Sequence, residues 1–281
     1  MARDDSKPQR PTDGHVHELQ VVGSERVSSS FVRVRLAGGE DFDASFRHVG
    51  FDQWFRLFLP NDRGGLELPS GTGDGWYKRW LAIPEVRRSL CRNYTVRQAR
   101  QHEGRWELDV DFVVHAGPSG EVDGPAAAWA LRASAGDRVG FLDQGMLFAP
   151  ADAETAAAEG GRIWIVADET GLPGVEGVLA SVNGRVPVTC LLEVPHDDDV
   201  RALPSEAGLD LRWLVRGDSH ELPGQAALRG IRAARIGRSD YVYTAGEGSM
   251  ALDVRKVAQR SGVRNDRIDF CAYWRPERRA A

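Results

Sequence analysis

The sequence predicts a chain in two parts, a small antiparallel β-barrel or sandwich followed by an open parallel α/β sheet. Three observations carry this. Over residues 15–150, apolar residues recur at period two in short runs bounded by turn residues. From about residue 160, strand-like and helix-like stretches alternate. Between the two, residues 151–161 shift to an Ala-, Glu- and Gly-rich composition that reads as a linker or surface loop. A length of 281 residues suits two ordinary domains, and 42% hydrophobic with 27% charged residues is the composition of a globular chain.

Residues 1–14 are polar, with Pro8, Pro11 and Gly14, and read as a flexible tail. The first domain then spans 15–150. His15–Val22 alternates around Val16, Leu19 and Val22, and Ser30–Leu36 alternates through Phe31, Val32, Val34 and Leu36. Trp54–Leu59 is a third strand, closed by Pro60-Asn61-Asp62. The glycine-rich stretch 61–76 reads as a loop or insertion, and Trp76–Arg88 as a short helix broken at Pro84. Strands resume at 91–97, 106–115 and 138–142.

The second domain spans 160–281. Arg162–Ala167 is a buried strand, and Pro173–Val182 a helix stopped at Asn183-Gly184. Val186–Val194 and Leu211–Val215 are strands and Leu222–Ile231 a helix. Tyr241–Ala245 is another strand, Met250, Val254 and Val257 mark one face of a helix ending near Gly262, and Ile268–Tyr273 is the last strand. This rhythm is that of an open parallel sheet.

Chemistry is suggested first at Arg92-Asn-Tyr-Thr-Val-Arg97. Tyr94 offers a stacking face, Thr95 a hydroxyl for a ring edge, and Arg92 a fork for phosphate oxygens. Further on, Gly117 to Gly124 leads into Pro125-Ala126-Ala127, a turn able to present N–H groups to an anion. In the second domain, Asp168-Glu-Thr-Gly-Leu-Pro-Gly174 and Gly246-Glu-Gly-Ser249 each follow a strand and open a helix. There Thr170 is a helix cap, Pro173 suits the first turn, and Gly171 leaves room for a ligand. Two such strand ends suggest a dinucleotide crevice, although neither is G-x-G-x-x-G.

A net charge of −5 gives no sign of a nucleic-acid partner. Cys91, Cys190 and Cys271 are isolated, which argues against a disulfide framework, an iron–sulfur cluster or a metal site. The N-terminus has no apolar signal-like run, and no stretch approaches the roughly 18 apolar residues of a membrane span. The expectation is a cytoplasmic protein and a monomer, with neither nucleic acid nor membrane as partner.

Taken together, these segments resemble the siderophore-interacting proteins, FAD-dependent ferric-siderophore reductases of the ferredoxin-reductase superfamily. The resemblance rests on Asp52-Gln-Trp-Phe-Arg-Leu57, on Arg92–Arg97 as R-x-Y-T-x-R, and on Asp111-Phe-Val-Val-His115 followed by Gly124-Pro-Ala-Ala-Ala-Trp129. It extends to Asp168–Pro173, Ala245-Gly-Glu247 and Ala272-Tyr-Trp-Arg275. Departures occur at Trp54, where the family commonly has histidine, at Gly171 and Gly174, and in an enlarged 61–88 segment carrying Trp76, Tyr77, Lys78, Arg79 and Trp80.

The resemblance implies an N-terminal six-stranded FAD-binding barrel and a C-terminal nicotinamide-binding sheet. It implies that Arg92, Tyr94, Thr95, Asp111, Val113 and His115 contact FAD, with the turn Gly124-Pro125-Ala126-Ala127 presenting its backbone N–H groups to the pyrophosphate. Thr170 would line the nicotinamide crevice, and Trp274 would approach the flavin. Arg56 and Arg275 would attract an anionic ferric siderophore. No acid–base or nucleophilic catalytic residue is required, and no metal is held by the protein. NADPH or NADH would be the donor, with reduced ferredoxin as an alternative: Arg216 after one strand favours a 2′-phosphate, whereas Asp197-Asp198-Asp199 after its neighbour opposes one. A flavin reductase serving another acceptor, or a non-catalytic siderophore carrier, are the alternatives.

Overall fold

The structure is a computed structural model, which describes residues 14–72, 75–115, 122, 124–182, 184–204, 208–217, 219 and 221–276. It divides into two compact units that meet in sequence at Met146 and Leu147.

The first unit is one antiparallel, curled sheet. Its strands are β1 (His17–Arg26), β2 (Phe31–Ala37), β3 (Trp54–Leu59), β4 (Leu90–Thr95), β5 (Gln98–His102), β6 (Arg105–Val113) and β7 (Arg138–Asp143), in the order β4-β3-β7-β1-β2-β6-β5. Seven strands stand where six are expected. The extra one is β5, whose Gln-Ala-Arg-Gln-His sequence has little apolar content yet pairs with β6 from Gln98↔Asp109 to His102↔Arg105.

One face of this sheet is a continuous apolar core. Leu19, Val34, Leu36, Phe55, Leu57, Leu108, Val110, Phe112 and Phe141 meet there, each essentially out of solvent. Burying each of these side chains contributes about 1.5–3 kcal/mol. A short helix, α1 (Glu40–Ser45), adds Phe42, whose ring stacks on Phe46. The opposite face carries Phe58 and Leu142, and the 61–88 segment covers it with Leu66, Leu68, Trp76 and Trp80. Its helix α2 (Trp76–Ala82) ends just before Pro84, as the sequence predicts. A side chain at Gly140 would collide with Leu68, so the segment can lie close only because β7 has glycine there. The aromatic cluster of 61–88 is therefore packing for a second sheet face.

The second unit is a five-stranded parallel sheet of β8 (Ile163–Ala167), β9 (Val188–Val194), β10 (Leu209–Val215), β11 (Tyr241–Glu247) and β12 (Ile268–Trp274), ordered β10-β9-β8-β11-β12. Strands β8, β9 and β11 are buried along their whole length, which is why they read as unbroken apolar runs. Helices α6 (Gln225–Ala233) and α7 (Gly248–Arg260) bring Leu228, Ile231, Met250 and Val254 against Trp164, Val166, Leu191 and Val242. Helix α5 (Leu172–Val182) packs on β8. The 151–161 stretch is not the expected linker or loop. It folds as helix α4 (Pro150–Ala158), with Pro150 at its first position and Ala153 and Ala156 buried. Its alanines are good helix formers small enough to lie close to the sheet. Among the described residues no helix is long and apolar enough to cross a membrane.

Candidate functional site

Each unit carries a group of the residues singled out above. In the first, β4 pairs with β3 so that Tyr94 faces Phe55, Asn93 faces Arg56 and Arg92 faces Leu57. Alternation along the strand puts Arg92 and Tyr94 on one side of the sheet and Asn93 with Arg56 on the other. The Tyr94 ring lies 4.3 Å, centroid to centroid, from Phe112 and is half-buried. Burial pushes its phenol above the ordinary tyrosine range, against the opposing pull of Arg92. Thr95 is buried beside it. Arg92 is exposed; Nη1 donates to the carbonyl of Cys91 at 2.9 Å, and among the described residues no carboxylate pairs with it. A flat ring with a phosphate tail matches this pairing of an aromatic platform with an uncommitted guanidinium.

Arg56 is not part of that group. Its guanidinium lies between two indoles, 5.1 Å from the Trp54 centroid and 5.2 Å from that of Trp76, and Nη1 donates to Asn93 Oδ1 at 2.7 Å. It is a clasp between β3 and α2. Asp111 is likewise committed: Arg33 grips it through two hydrogen bonds of 2.7 and 2.9 Å, across the β2–β6 pair Arg33↔Asp111. Its side chain is thus a structural anchor of the β2–β6 pair. Val113, which ends β6, and His115, just beyond it, are half-buried.

Gly124 adopts φ +88°, a conformation suited to glycine, and precedes α3 (Pro125–Ala130). The first helical hydrogen bond runs from Ala128 N–H to Gly124 O, so the N–H groups of Ala126 and Ala127 have no partner within the helix. Residues 117–121 and 123 of the predicted turn lie outside the described residues. Trp129 packs into the core with Phe112.

In the second unit the strand order reverses between β8 and β11, and ligands of such sheets bind beyond the strand ends at that reversal. Asp168 is the centre of this place. Its buried carboxylate accepts from Thr170 N at 2.9 Å, Thr170 Oγ1 at 2.5 Å, Glu247 N at 2.6 Å and Trp274 Nε1 at 3.1 Å. One side chain thus ties together the ends of β8, β11 and β12. Burial, with Glu169 adding, pushes its carboxyl up to about 6, and the Thr170, Glu247 and Trp274 donors pull the other way.

Asp168, rather than Thr170, caps the turn into α5. Gly171 is bare because the Ala245 carbonyl lies 2.6 Å from where its Cβ would be, so its freedom serves packing within the sheet and not a ligand. Gly246, at φ +146°, leaves room for the Asp168 carboxylate itself. Glu247 caps α7 by accepting from Ser249 N at 2.8 Å and Met250 N at 2.9 Å. Arg275 lies against Gly248, the first residue of α7.

Sequence reasoning assigned Thr170 to the nicotinamide crevice and Trp274 to the flavin; in the structure both bond the same carboxylate, Asp168. It missed Asp168 as the joint and also Glu193, the penultimate residue of β9, whose carboxylate takes Gly224 N at 2.8 Å and Ala226 N at 2.7 Å. A charged residue inside an otherwise apolar strand was the available signal. Arg216 donates to Glu193 Oε1 at 2.8 Å and to Glu169 Oε1 at 2.9 Å, so it stands between two buried carboxylates.

Comparison with known proteins finds matches over both parts of the chain. The chain is 27% identical over 216 residues to the mycobactin import ATP-binding/permease protein IrtA of Mycolicibacterium thermoresistibile, covering 76% of this chain and 20% of that one. It is 24% identical over 263 residues to IrtA of Mycobacterium tuberculosis, covering 92% and 26%. The chain therefore spans about a fifth to a quarter of the length of these curated relatives. Among solved structures, a siderophore utilization protein from T. fusca superposes with a TM-score of 0.78 at 27% identity, over 97% of both chains. The siderophore-interacting protein SipS from Aeromonas hydrophila gives 0.73 at 23% identity, over 95% of this chain and 94% of that one. A ferredoxin NADP+ reductase from Neisseria gonorrhoeae shares the fold, at 0.61 and 14% identity, over 92% of this chain and 99% of that one. Residues 20–146 match the siderophore-interacting FAD-binding domain, and residues 161–277 match the family described as siderophore-interacting protein. The chain is a member of the siderophore-interacting protein family, with a siderophore-interacting FAD-binding domain and a ferredoxin-reductase-like fold.

Proposed function

We propose that this chain is an NAD(P)H-dependent ferric-siderophore reductase. The carrying observation is the pair on β4: a half-buried Tyr94 ring and, two residues back on the same side, the exposed and uncommitted Arg92, within the stretch that matches the FAD-binding domain. In this reading residues 15–150 hold FAD and residues 160–281 receive the nicotinamide nucleotide. Bound FAD supplies the junction between a two-electron hydride donor and a one-electron iron acceptor. The balance is one NAD(P)H and two Fe(III) giving NAD(P)+, one proton and two Fe(II). Iron(II) is held less tightly by hard oxygen ligands, so reduction releases it from the chelate.

The residues bind and orient. Tyr94 gives the ring a face, Thr95 a hydrogen-bonding edge, and Arg92 a charge for phosphate. The N–H groups of Ala126 and Ala127, beyond Gly124 and Pro125, serve the pyrophosphate. Val113, His115 and the Asp111 backbone border the same cofactor. Thr170 and Trp274, both held by Asp168, line the nicotinamide crevice. Arg275 supplies positive charge for an anionic chelate. Arg56 does so only through the face its indoles leave open. The compartment this chemistry requires is one that holds NAD(P)H, such as the cytoplasm.

The test is anaerobic turnover with NAD(P)H against a panel of ferric siderophores, with Fe(II) trapped by a chromogenic chelator, and against flavodoxin and ferredoxin in parallel. Fe(II) release from siderophores at rates above those with the two redox proteins supports the proposal. Reduction of flavodoxin or ferredoxin alone would replace it with a reductase for a protein acceptor.

A further inference from the structure

Arg216 is the cation best placed by sequence to welcome a 2′-phosphate, and the fold has already used it. The Arg216 backbone N–H donates to the Val194 carbonyl at 2.8 Å, which sets its side chain beside the end of β9. In a sheet of this order the adenosine ribose of a dinucleotide lies toward the end of the second strand, here β9. A basic residue there accommodates a 2′-phosphate, and an acidic one prefers the free 2′-hydroxyl. The Arg216 side chain is only 10% exposed and lies between Glu169 and Glu193, whose side chains are 0% and 1% exposed. Two carboxylates against one guanidinium leave no positive charge to offer.

The turn that follows β9 adds negative charge. Asp197 and Asp198 are exposed, and Asp199 is folded inward to accept from His196 N at 3.0 Å. Arg201, the next cation along the chain, pairs with Glu176 at 2.5 Å. Among the described residues, the two arginines nearest the ends of β9 and β10 are thus each held against buried carboxylates.

We infer that the nucleotide edge of this unit selects NADH and rejects NADPH, with Asp197, Asp198 and the saturated Arg216 as the residues that exclude the 2′-phosphate. The inference rests on the reductase reading above and narrows its electron donor to one of two. A phosphate that carries close to two negative charges meets at least two solvent-facing carboxylates there. The exclusion is electrostatic, so it weakens as salt is added.

The experiment uses the flavin-loaded full chain and a measurement that needs no turnover. Calorimetry compares binding of 5′-ADP with that of 2′,5′-ADP, and anaerobic stopped flow compares flavin reduction by NADH and NADPH. The expected result is a preference of about tenfold or more for the species without the 2′-phosphate in both assays, shrinking as ionic strength rises. The double variant Asp197→Ser, Asp198→Arg is expected to move both ratios toward the 2′-phosphorylated species by about tenfold. Equal or stronger binding and faster reduction with the 2′-phosphate overturns the inference and leaves the reductase reading intact. A preference unmoved by both salt and the double variant overturns the assignment to these charges. If neither nucleotide reduces a flavin that dithionite does reduce, the nicotinamide part of the reductase reading fails, and the inference falls with it.

Discussion

Replacing Arg216 by alanine removes the cation between two buried carboxylates. Its Nη1 lies 2.8 Å from Glu193 Oε1 and its Nη2 2.9 Å from Glu169 Oε1. Taking one partner from a buried ion pair destabilises a protein by about 3–5 kcal/mol. Glu193 keeps its hydrogen bonds from Gly224, Ala226 and Ala227, at 2.8, 2.7 and 3.2 Å, so the loss falls mainly on Glu169. That places the expected effect at the lower end, about 3 kcal/mol near neutral pH. Burial already raises the Glu169 carboxyl, and Arg216 opposes the rise. Without Arg216 it climbs further above its unfolded value of about 4.3.

A carboxyl whose folded pKa exceeds its unfolded one weakens the fold above the folded pKa. The effect fades as pH falls toward the unfolded value. The variant's deficit should therefore be full near pH 8 and shrink toward about pH 5. Urea unfolding of the full chain across that range, followed by tryptophan fluorescence, reads it directly. Arg216→Met, which keeps most of the aliphatic stem, should behave like alanine and so separate charge from packing. A deficit below about 1 kcal/mol at neutral pH, or one that grows on acidification, refutes the reasoning.

Three further outcomes follow. Arg92→Ala should change stability by no more than about 0.5 kcal/mol, because the side chain is exposed and forms no ion pair, yet weaken FAD binding about tenfold or more; unchanged FAD affinity by fluorescence titration rejects Arg92 as a phosphate ligand. The Asp168 carboxyl, at about 6, binds its proton more tightly in the folded chain than at its unfolded value of about 3.9, so stability should fall by about 3 kcal/mol as pH rises through that interval. Asp168→Asn should lose that slope, and an identical slope in both proteins would contradict the assignment. Gly246→Ala puts a methyl group 2.6 Å from the Asp168 carboxylate at φ +146°, and should destabilise the chain by about 2 kcal/mol or more; a thermal unfolding midpoint equal to wild type would show that the turn tolerates it.

The type and order of most elements were legible because burial leaves a period. The two-residue alternation of β2 and the unbroken apolar run of β8 follow from one buried face and two, respectively. Strand β5 was illegible because it is polar and is specified by its partner β6. Helix α4 was read as a linker because alanine marks neither a helix face nor a strand until its neighbour is known. At the candidate site the residue types were readable and their commitments were not. Asp111 and Arg33 are 78 positions apart in sequence and meet only through the β2–β6 register. Arg216 and the carboxylates of Glu169 and Glu193 come from three different strand ends, so the sequence offered an available cation where the fold supplies a neutralised one. Trp76 and Trp80 of the enlarged 61–88 segment, whose place the sequence left open, pack against Phe58.

The most direct test of the central claim is an anaerobic spectral titration of the purified full chain supplied with FAD. The account predicts a bound flavin band near about 450 nm that NAD(P)H bleaches and that about two equivalents of a ferric siderophore restore, with Fe(II) appearing in step. A chain that takes up no FAD, or a reduced flavin that ferric siderophores leave bleached, would contradict it.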